Sequence, residues 1–209
     1  MAMTRSQTAE SREARVTVTP AAVRETALTL FSERGYHGTA LSQIAAKLGV
    51  RTPSLYNHMN SKHDLLDAIV SETTEQVWAD YEAAVEGSTG VADALRRAVK
   101  AYALRHALHR REALIVSRDI ASLEHEAYER VLHLRRRHER AIRALIDDGA
   151  REGVFHVKTA SLASFGILEM CVSIARWFRE DGAMSAEEVA DQYSEFALRL
   201  AGFHTPDAP

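Results

Sequence analysis

The stretch LSQIAAKLGVRTPSLYNHM, residues 41–59, contains two short amphipathic segments on either side of Gly49. Apolar residues at three- and four-residue spacing predict a helix near residues 41–48. Thr52 and Pro53 predict the start of a second helix, with threonine as the cap and proline in the first turn. Two short helices joined by a turn that contains glycine are typical of a helix-turn-helix, whose second helix enters the major groove of DNA.

The second of these segments is rich in hydrogen-bonding side chains. Leu55 and Met59 are four residues apart, so we expect both to face a small core. The other faces then carry hydroxyl, amide and imidazole groups, which position a protein on DNA and read base edges. These groups belong to Thr52, Ser54, Tyr56, Asn57 and His58. The alternative is a polar surface that does not touch DNA.

Charge is distributed unevenly along the chain, whose formal net charge is −3. Residues 1–66 hold eight Lys and Arg against five Asp and Glu, a net +3, and the remainder carries −6. A basic segment on an acidic body is typical of a protein whose first part binds nucleic acid. Arg5, Arg12 and Arg15 would form an N-terminal arm that either enters a minor groove or stays a free tail.

The composition is that of a folded protein, with 46% hydrophobic and 26% charged residues. Cys171 is the only cysteine, which excludes an intramolecular disulfide and fits a reducing cytosol. The first nineteen residues lack the apolar core of a signal peptide, and no apolar run reaches the roughly 20 residues of a membrane span. We therefore expect a cytoplasmic protein without a membrane segment.

Helical periodicity continues through the rest of the chain, and no strand alternation interrupts it. Thr19 and Pro20 predict a helix start, and Ser61 with Asp64 forms a capping-box pattern that opens a long helix. Further helices are expected near residues 91–108, 111–122, 124–151, 159–180 and 186–202. The fold class is therefore predicted to be all-α.

Residues 23–70 resemble the TetR family of bacterial transcriptional repressors. The resemblance is carried, in one register, by Phe31, Gly35, Thr39, Ile44, Ala45, Leu48, Gly49, Val50, Leu55, Tyr56, His58, Ser61, Lys62, Leu65 and Leu66. It implies an N-terminal three-helix helix-turn-helix DNA-binding domain plus a C-terminal helical ligand-binding and dimerisation domain. The chain would divide into a flexible arm (1–19), a DNA-binding domain (20–66), a ligand-binding and dimerisation domain (67–204) and a tail (205–209).

By this resemblance, two groups of side chains contact a double-stranded DNA operator. Those expected at phosphates are Thr39, Tyr56, His58 and Lys62. Those expected at bases or thymine methyl groups are Ser42, Gln43, Thr52, Pro53 and Asn57, beside Ser54 from the same helix. Two positions depart from the family pattern. Ala40 removes the usual cap of the second helix, a loss of about 1 kcal/mol unless Thr39 replaces it, and Met59 replaces an aromatic residue.

The last two long helices are expected to form the dimer interface found in the family. Residues 161–178 are apolar nearly all round, which argues for burial on more than one side, and the final helix has one clean apolar stripe. The predicted interface residues are Phe165, Val172, Val189, Tyr193, Phe196 and Leu200. The alternative is the core of a monomer.

The resemblance also implies a small-molecule effector in a helical cavity, lined mainly by apolar and aromatic side chains. The predicted lining residues are Trp78, Tyr81, Tyr102, His106, Ile115, Arg118, Phe165, Met170 and Trp177. Arg118 and Asp119 have two open accounts, a structural ion pair or recognition of an anionic effector. Residues 175–193 resemble family members that respond to acyl-CoA thioesters or related acids, which makes such a molecule the leading expectation.

The sequence predicts no enzyme, cofactor or metal site. The histidine pairs lack a third ligand at suitable spacing, and the basic run at residues 134–140 is expected to be a solvated face because acidic residues lie nearby. Two other classes remain as alternatives: a helical-bundle enzyme or metalloprotein with a non-functional helix-turn-helix, or a protein-interaction module. The first requires paired Glu and His on facing helices, and the second would bind its partner with little salt dependence.

Overall fold

The computed structural model describes residues 18–204, and within this range the secondary structure is helical, without strands. The predicted all-α fold class is confirmed. The predicted N-terminal arm up to residue 17, with Arg5, Arg12 and Arg15, and the tail at 205–209 lie outside the described residues. The helices are α1 (Pro20–Arg34), α2 (Leu41–Lys47), α3 (Thr52–Leu55), α4 (Lys62–Val85), α5 (Val91–Leu108), α6 (Arg110–Asp119), a 3-10 turn (Ile120–Ser122), α7 (His125–Arg151), α8 (Ala160–Trp177) and α9 (Ala186–Leu200).

Side-chain caps explain where several helices begin. The Thr19 hydroxyl accepts a hydrogen bond from the N–H of Ala22 at 3.1 Å, and Pro20 opens α1. The Ser61 hydroxyl accepts from the N–H of Asp64 at 3.0 Å, so the predicted start of the long helix α4 is confirmed. Each contact satisfies one of the backbone donors that a helix leaves free in its first turn.

The start of α2 is stabilised by a residue that the sequence did not suggest. Ala40 has no side-chain cap to offer, and Thr39 does not take its place. Instead the side-chain oxygen of Gln43 accepts a hydrogen bond from the N–H of Ala40 at 2.8 Å. This is the reciprocal half of a capping box, and it partly offsets the missing hydroxyl.

The buried side chains form two clusters. The larger lies in the body, where α5 packs against α4, α8 and α9 and Cys171 is buried. The smaller, which we call the head core, is built by α1 to α4 around Phe31, Leu55 and Leu66. Two body residues, Ile115 of α6 and Val131 of α7, also belong to the head core and are fully buried.

Candidate DNA-binding head and effector cavity

The helix-turn-helix places its polar side chains as the periodicity predicted. Leu55 is fully buried and Met59 is 8% exposed, so both face the head core. The opposite side is open to solvent: Tyr56 is 57% exposed, and Pro53 and Asn57 are also exposed. Of the other predicted DNA-binding residues, Ser42 is exposed, and Gln43, Thr52, Ser54, His58 and Lys62 are partly exposed.

Thr39 is an exception, because it lies in the head core. It is 1% exposed, and its hydroxyl lies 2.9 Å from the carbonyl oxygen of Gly35 and 3.2 Å from that of Leu30, both of which accept from it. A hydroxyl held in this way has no hydrogen left for a phosphate oxygen. The structure therefore corrects the expectation of a phosphate contact: this side chain fixes the turn between α1 and α2.

Lys62, the first residue of α4, lies against the aromatic side chains of the head. Its ammonium nitrogen is 4.0 Å from the centroid of the Tyr36 ring and 6.0 Å from that of Phe31. Partial burial lowers the pKa of this ammonium, and the nearby Asp119 opposes that shift. A cation held over an aromatic face has a fixed position at the end of the helix-turn-helix.

A cavity of about 250 Å³ lies in the body between helices α4 to α8. Three predicted ligand-binding residues line it, namely Tyr102, His106 and Phe165. Its walls also include apolar side chains from four helices: Val77, Ala113, Val116, Leu132 and Leu168. Apolar walls with a few polar groups are typical of sites for small organic ligands.

Six predicted ligand-binding residues lie elsewhere, for identifiable packing reasons. Ile115 is fully buried in the head core. Trp78 stacks on Tyr81, with the Arg137 guanidinium 3.7 Å from the centre of the indole ring. The remaining three residues outside the cavity are Arg118, Met170 and Trp177. The position of a residue along a helix does not show whether it faces the core or the cavity, because residues within one helical turn point in both directions.

The contribution of α7 to the cavity was not predicted from the sequence. His138 lies in its wall, and the exposed Arg135 and Arg136 line it where it meets solvent. The expectation that residues 134–140 form a solvated face is therefore wrong for His138, which is 5% exposed, whereas Arg135 and Arg136 are exposed but also line the cavity. The signal was present in the spacing, because residues three and four apart on a helix share a face.

Three of the charged side chains around the cavity remain without an ion-pair partner among residues 18–204. Arg105 pairs with Asp80. Burial raises the pKa of that carboxyl, but the hydrogen bonds from Arg105 and Gln76 outweigh it, so the pKa is lowered. Glu139 accepts a hydrogen bond from Ser164 at 2.9 Å and lies 3.8 Å from Arg143. Arg135 and Arg136 are left facing a single carboxylate, that of Glu169. The mouth of the cavity therefore carries a net positive charge.

The inner polar groups of the cavity are neutral. Burial lowers the pKa of His106 to about 4, although a hydrogen bond from its Nδ1 to the carbonyl oxygen of Tyr102, at 2.8 Å, acts in the opposite direction. Burial also lowers the pKa of His138 to about 4, and His106 contributes. The phenol pKa of Tyr102 is raised by burial. None of the three side chains is charged near neutral pH.

Arg118 links the body to the head. Its guanidinium donates to the carboxylate of Asp119, with Nη2 at 2.9 Å from Oδ2, and to the backbone carbonyl oxygens of Phe31 and Ser32 at the end of α1. It also lies over Gly35, where an added Cβ would be 3.6 Å from its Nε. Of the two alternatives for Arg118 and Asp119, the structure contains the structural ion pair.

The outer face of α8 and α9 exposes large apolar side chains. Phe165, Trp177, Phe196 and Leu200 are between 42% and 54% exposed, and Leu162 is 70% exposed. Tyr193 is partly buried, 6.2 Å from Trp177 and 5.9 Å from Phe196 between ring centroids. By length and composition alone, α8 would suit a membrane span.

Two predicted interface residues lie away from this face. Val189 is 2% exposed and belongs to the body core, so its assignment to the interface is wrong. Val172 is partly buried and lines the cavity. In residues 18–204, no group of three His, Cys, Asp or Glu side chains is arranged to hold a metal ion.

Two family models match the chain. Residues 23–69 match the model described as bacterial regulatory proteins, tetR family, and residues 88–201 match a tetracyclin repressor-like C-terminal domain. The chain belongs to the tetR family. It is accordingly a DNA-binding transcriptional regulator and not an enzyme.

Relatives of known name or structure agree with this family assignment. The HTH-type transcriptional repressor KstR2 of Rhodococcus jostii is 25% identical over 174 residues, 82% of this chain and 85% of that protein. A tetR-family regulatory protein from Rhodococcus RHA1 has 30% identity and a TM-score of 0.82, covering 89% of this chain and 98% of its own. AibR, solved with isovaleryl coenzyme A and operator DNA, shares the fold at a TM-score of 0.77 and 23% identity, covering 88% and 99%.

Proposed function

We propose that this protein is a cytoplasmic, homodimeric repressor that leaves a palindromic operator when an amphipathic organic anion binds in the cavity of each body. An acyl-CoA thioester is the leading candidate for this effector. The observation that carries the proposal is the cavity itself, which has apolar walls, neutral inner groups and two arginines at its mouth. AibR, which has the same fold, was crystallised with isovaleryl coenzyme A and operator DNA.

The proposed DNA-binding surface consists of the exposed side of the helix-turn-helix. Thr52, Pro53 and Asn57 would meet base edges in the major groove, and Tyr56, His58 and Lys62 would contact phosphates. Ser42 and the free amide nitrogen of Gln43 are accessible beside them. We place the functional boundary between the DNA-binding domain and the ligand-binding and dimerisation domain near residue 66, early in α4.

The proposed route from cavity to head runs through α6. This helix contributes Ala113, Val116 and Ser117 to the cavity, and Arg118 follows directly with its contacts to the end of α1. An effector changes operator affinity only if it favours one arrangement of the head over another. A ligand that displaces α6 changes the contact that holds α1, and so satisfies this condition.

The test is operator binding with and without effector, on DNA found by footprinting upstream of the protein's own gene. We expect acyl-CoAs to lower operator affinity by roughly 5-fold to 150-fold, the usual range of coupling between two sites. The double variant Arg135→Glu/Arg136→Glu should lose most of this response. Arg140→Glu is the matched control, since Arg140 is exposed on the same helix outside the cavity.

Two results would contradict the proposal. Release of DNA by neutral hydrophobic molecules but not by acyl-CoAs or fatty acids would exclude the anionic effector. An unchanged response of the double variant, with normal operator affinity, would exclude the arginines at the mouth as the anion site.

A further inference from the structure

The inner end of the cavity carries polar atoms that the protein itself leaves without partners. Both ring nitrogens of His138 are buried with no hydrogen-bond partner among residues 18–204. His106 and Tyr102 line the cavity together with His138. The Tyr102 ring lies 4.4 Å from that of His106 and 4.8 Å from that of His138, between centroids. Unpartnered polar atoms in an otherwise apolar wall are costly to retain.

The hydrogen-bonding character of His106 follows from its contact with α5. Its Nδ1 lies 2.8 Å from the carbonyl oxygen of Tyr102, and a carbonyl oxygen has no hydrogen to donate. Nδ1 must therefore carry the proton. Because the buried ring is neutral at pH 7, Nε2 keeps a lone pair and acts as an acceptor. The complementary group on a ligand is an O–H or N–H donor.

Resting on the proposed function, we infer that Tyr102, His106 and His138 form a recognition site for an uncharged hydroxyl or amide N–H at the buried end of the effector. A hydroxyl donates one hydrogen bond to His106 and accepts from the phenol of Tyr102 or from the N–H of His138 after a rotation of that ring. A carboxylate fits less well there, since it has no hydrogen to donate to Nε2 of His106. The anionic part of the molecule stays at Arg135 and Arg136.

The site predicts whether adding a hydroxyl to a ligand strengthens or weakens its binding. In an apolar cavity without polar partners, adding a terminal hydroxyl to an alkyl chain weakens binding, because the hydroxyl loses its hydrogen bonds to water. With the three polar rings present, the hydroxyl gains replacements, and we expect binding to be roughly 3-fold to 10-fold tighter. A terminal carboxylate should bind more weakly than either.

The experiment measures direct binding by calorimetry, without DNA, to hexanoic, octanoic and decanoic acids, their ω-hydroxy counterparts and the matching dicarboxylic acids. In His106→Phe and His138→Phe, the ratio of hydroxy-acid affinity to parent-acid affinity should fall to about 1 or below. His133→Phe, at an exposed position of α7 outside the cavity, should keep the wild-type ratio. Operator binding in the absence of any acid shows that the variants are folded.

The outcomes separate this inference from the proposed function. Binding of the parent and hydroxy acids with equal affinity, or a preference that survives in both histidine variants, overturns the polar recognition site alone. Failure of every acid to bind the wild-type protein overturns the proposed effector class and this inference with it.

Discussion

Among single residues, Arg118 makes two favourable contacts as a cation, one with the end of α1 and one with Asp119. The carbonyl groups at the end of α1 form its negative end, where a guanidinium is favourable. Arg118 donates to Ser32 and to Phe31, whose oxygen also accepts from the N–H of Gly35 at 2.9 Å. The same guanidinium pairs with Asp119, whose side chain is only 6% exposed. Gly35, against which the guanidinium lies, has φ +80, a conformation that favours glycine.

We predict that Arg118→Met lowers the free energy of unfolding by about 1–3 kcal/mol, because it leaves a buried carboxylate without its partner. This loss is smaller than that for a fully buried pair, because Arg118 itself is 44% exposed and solvent screens its charge. The measurement is urea unfolding. Arg111→Met is the control, since this arginine pairs with Glu25 of α1 in an exposed position and should cost at most about 0.5 kcal/mol.

The double variant Arg118→Met/Asp119→Asn completes the test. It should recover part of the loss, since an amide is cheaper to bury than an unpaired carboxylate. Additive losses from the two single changes would show that the ion pair contributes nothing beyond its separate groups.

The two buried histidines predict how stability depends on pH. Their pKa values near 4 lie below the ordinary histidine value of 6.5, so the unfolded chain binds more protons between these limits. Above pH 6.5 both states are neutral at these histidines and the free energy of unfolding is unaffected. As pH falls from 6.5 toward 4, protonation of the unfolded chain lowers the free energy of unfolding, by roughly 1–2 kcal/mol for each histidine at pH 5. Comparing urea unfolding at pH 7 and pH 5, His138→Phe should lose less than the wild type. An equal loss in both proteins would argue against a buried neutral His138.

At the scale of elements, α8 and α9 expose an apolar face that a soluble monomer rarely maintains. α8 is 18 residues long and packs through Ile167, Cys171 and Ile174 on the body. Leu162 is 70% exposed, and Phe165, which also lines the cavity, is 54% exposed. A second copy of the same face is the partner proposed here, since a two-fold dimer buries one patch against itself.

Phe196→Asp should therefore be a monomer at micromolar protein concentration, where the wild type is expected to be a dimer. A carboxylate in the proposed interface would be buried without a partner. Sedimentation velocity measures the change. Tyr56→Asp provides a matched control, since Tyr56 is 57% exposed on the helix-turn-helix and should leave the dimer intact. A wild-type monomer would exclude both the interface and a palindromic operator bound by two heads.

The elements differ in how far the sequence could predict them. Caps and apolar spacing are local signals, so the starts of α1 and α4 and the burial of Leu55 and Met59 followed from neighbouring residues alone. The predicted Thr52 cap of α3 is wrong, because the helix begins at Thr52 itself and Arg51 holds the cap position without a side-chain hydrogen bond. The lining of the cavity depends on how far each helix rotates in the bundle, which the sequence of one helix does not specify. Tyr102 and His106 were therefore predicted correctly as cavity residues, whereas Trp78 was not and His138 was missed. Val189 was misassigned because the stripe of α9 also serves the body core.

At the scale of the whole molecule, the two cores are not independent. α4 runs from the head into the body, and α6 and α7 each add one fully buried side chain, Ile115 and Val131, to the head core. The same helices line the cavity, α6 through Ala113 and Val116 and α7 through Leu132. Binding in the body and the orientation of the head therefore depend on shared packing as well as on Arg118, and small shifts of packed helices move whole units.

The shared head core also limits how this regulator can be re-engineered. Hybrid sensors join the DNA-reading part of one regulator to the effector-sensing part of another, and the natural cut here would fall near residue 66. Such a cut separates Phe31 and Leu66 from Ile115 and Val131, which pack in the same cluster. A working graft must therefore carry matching side chains at positions 115 and 131, and the interchangeable part extends well past the helix-turn-helix.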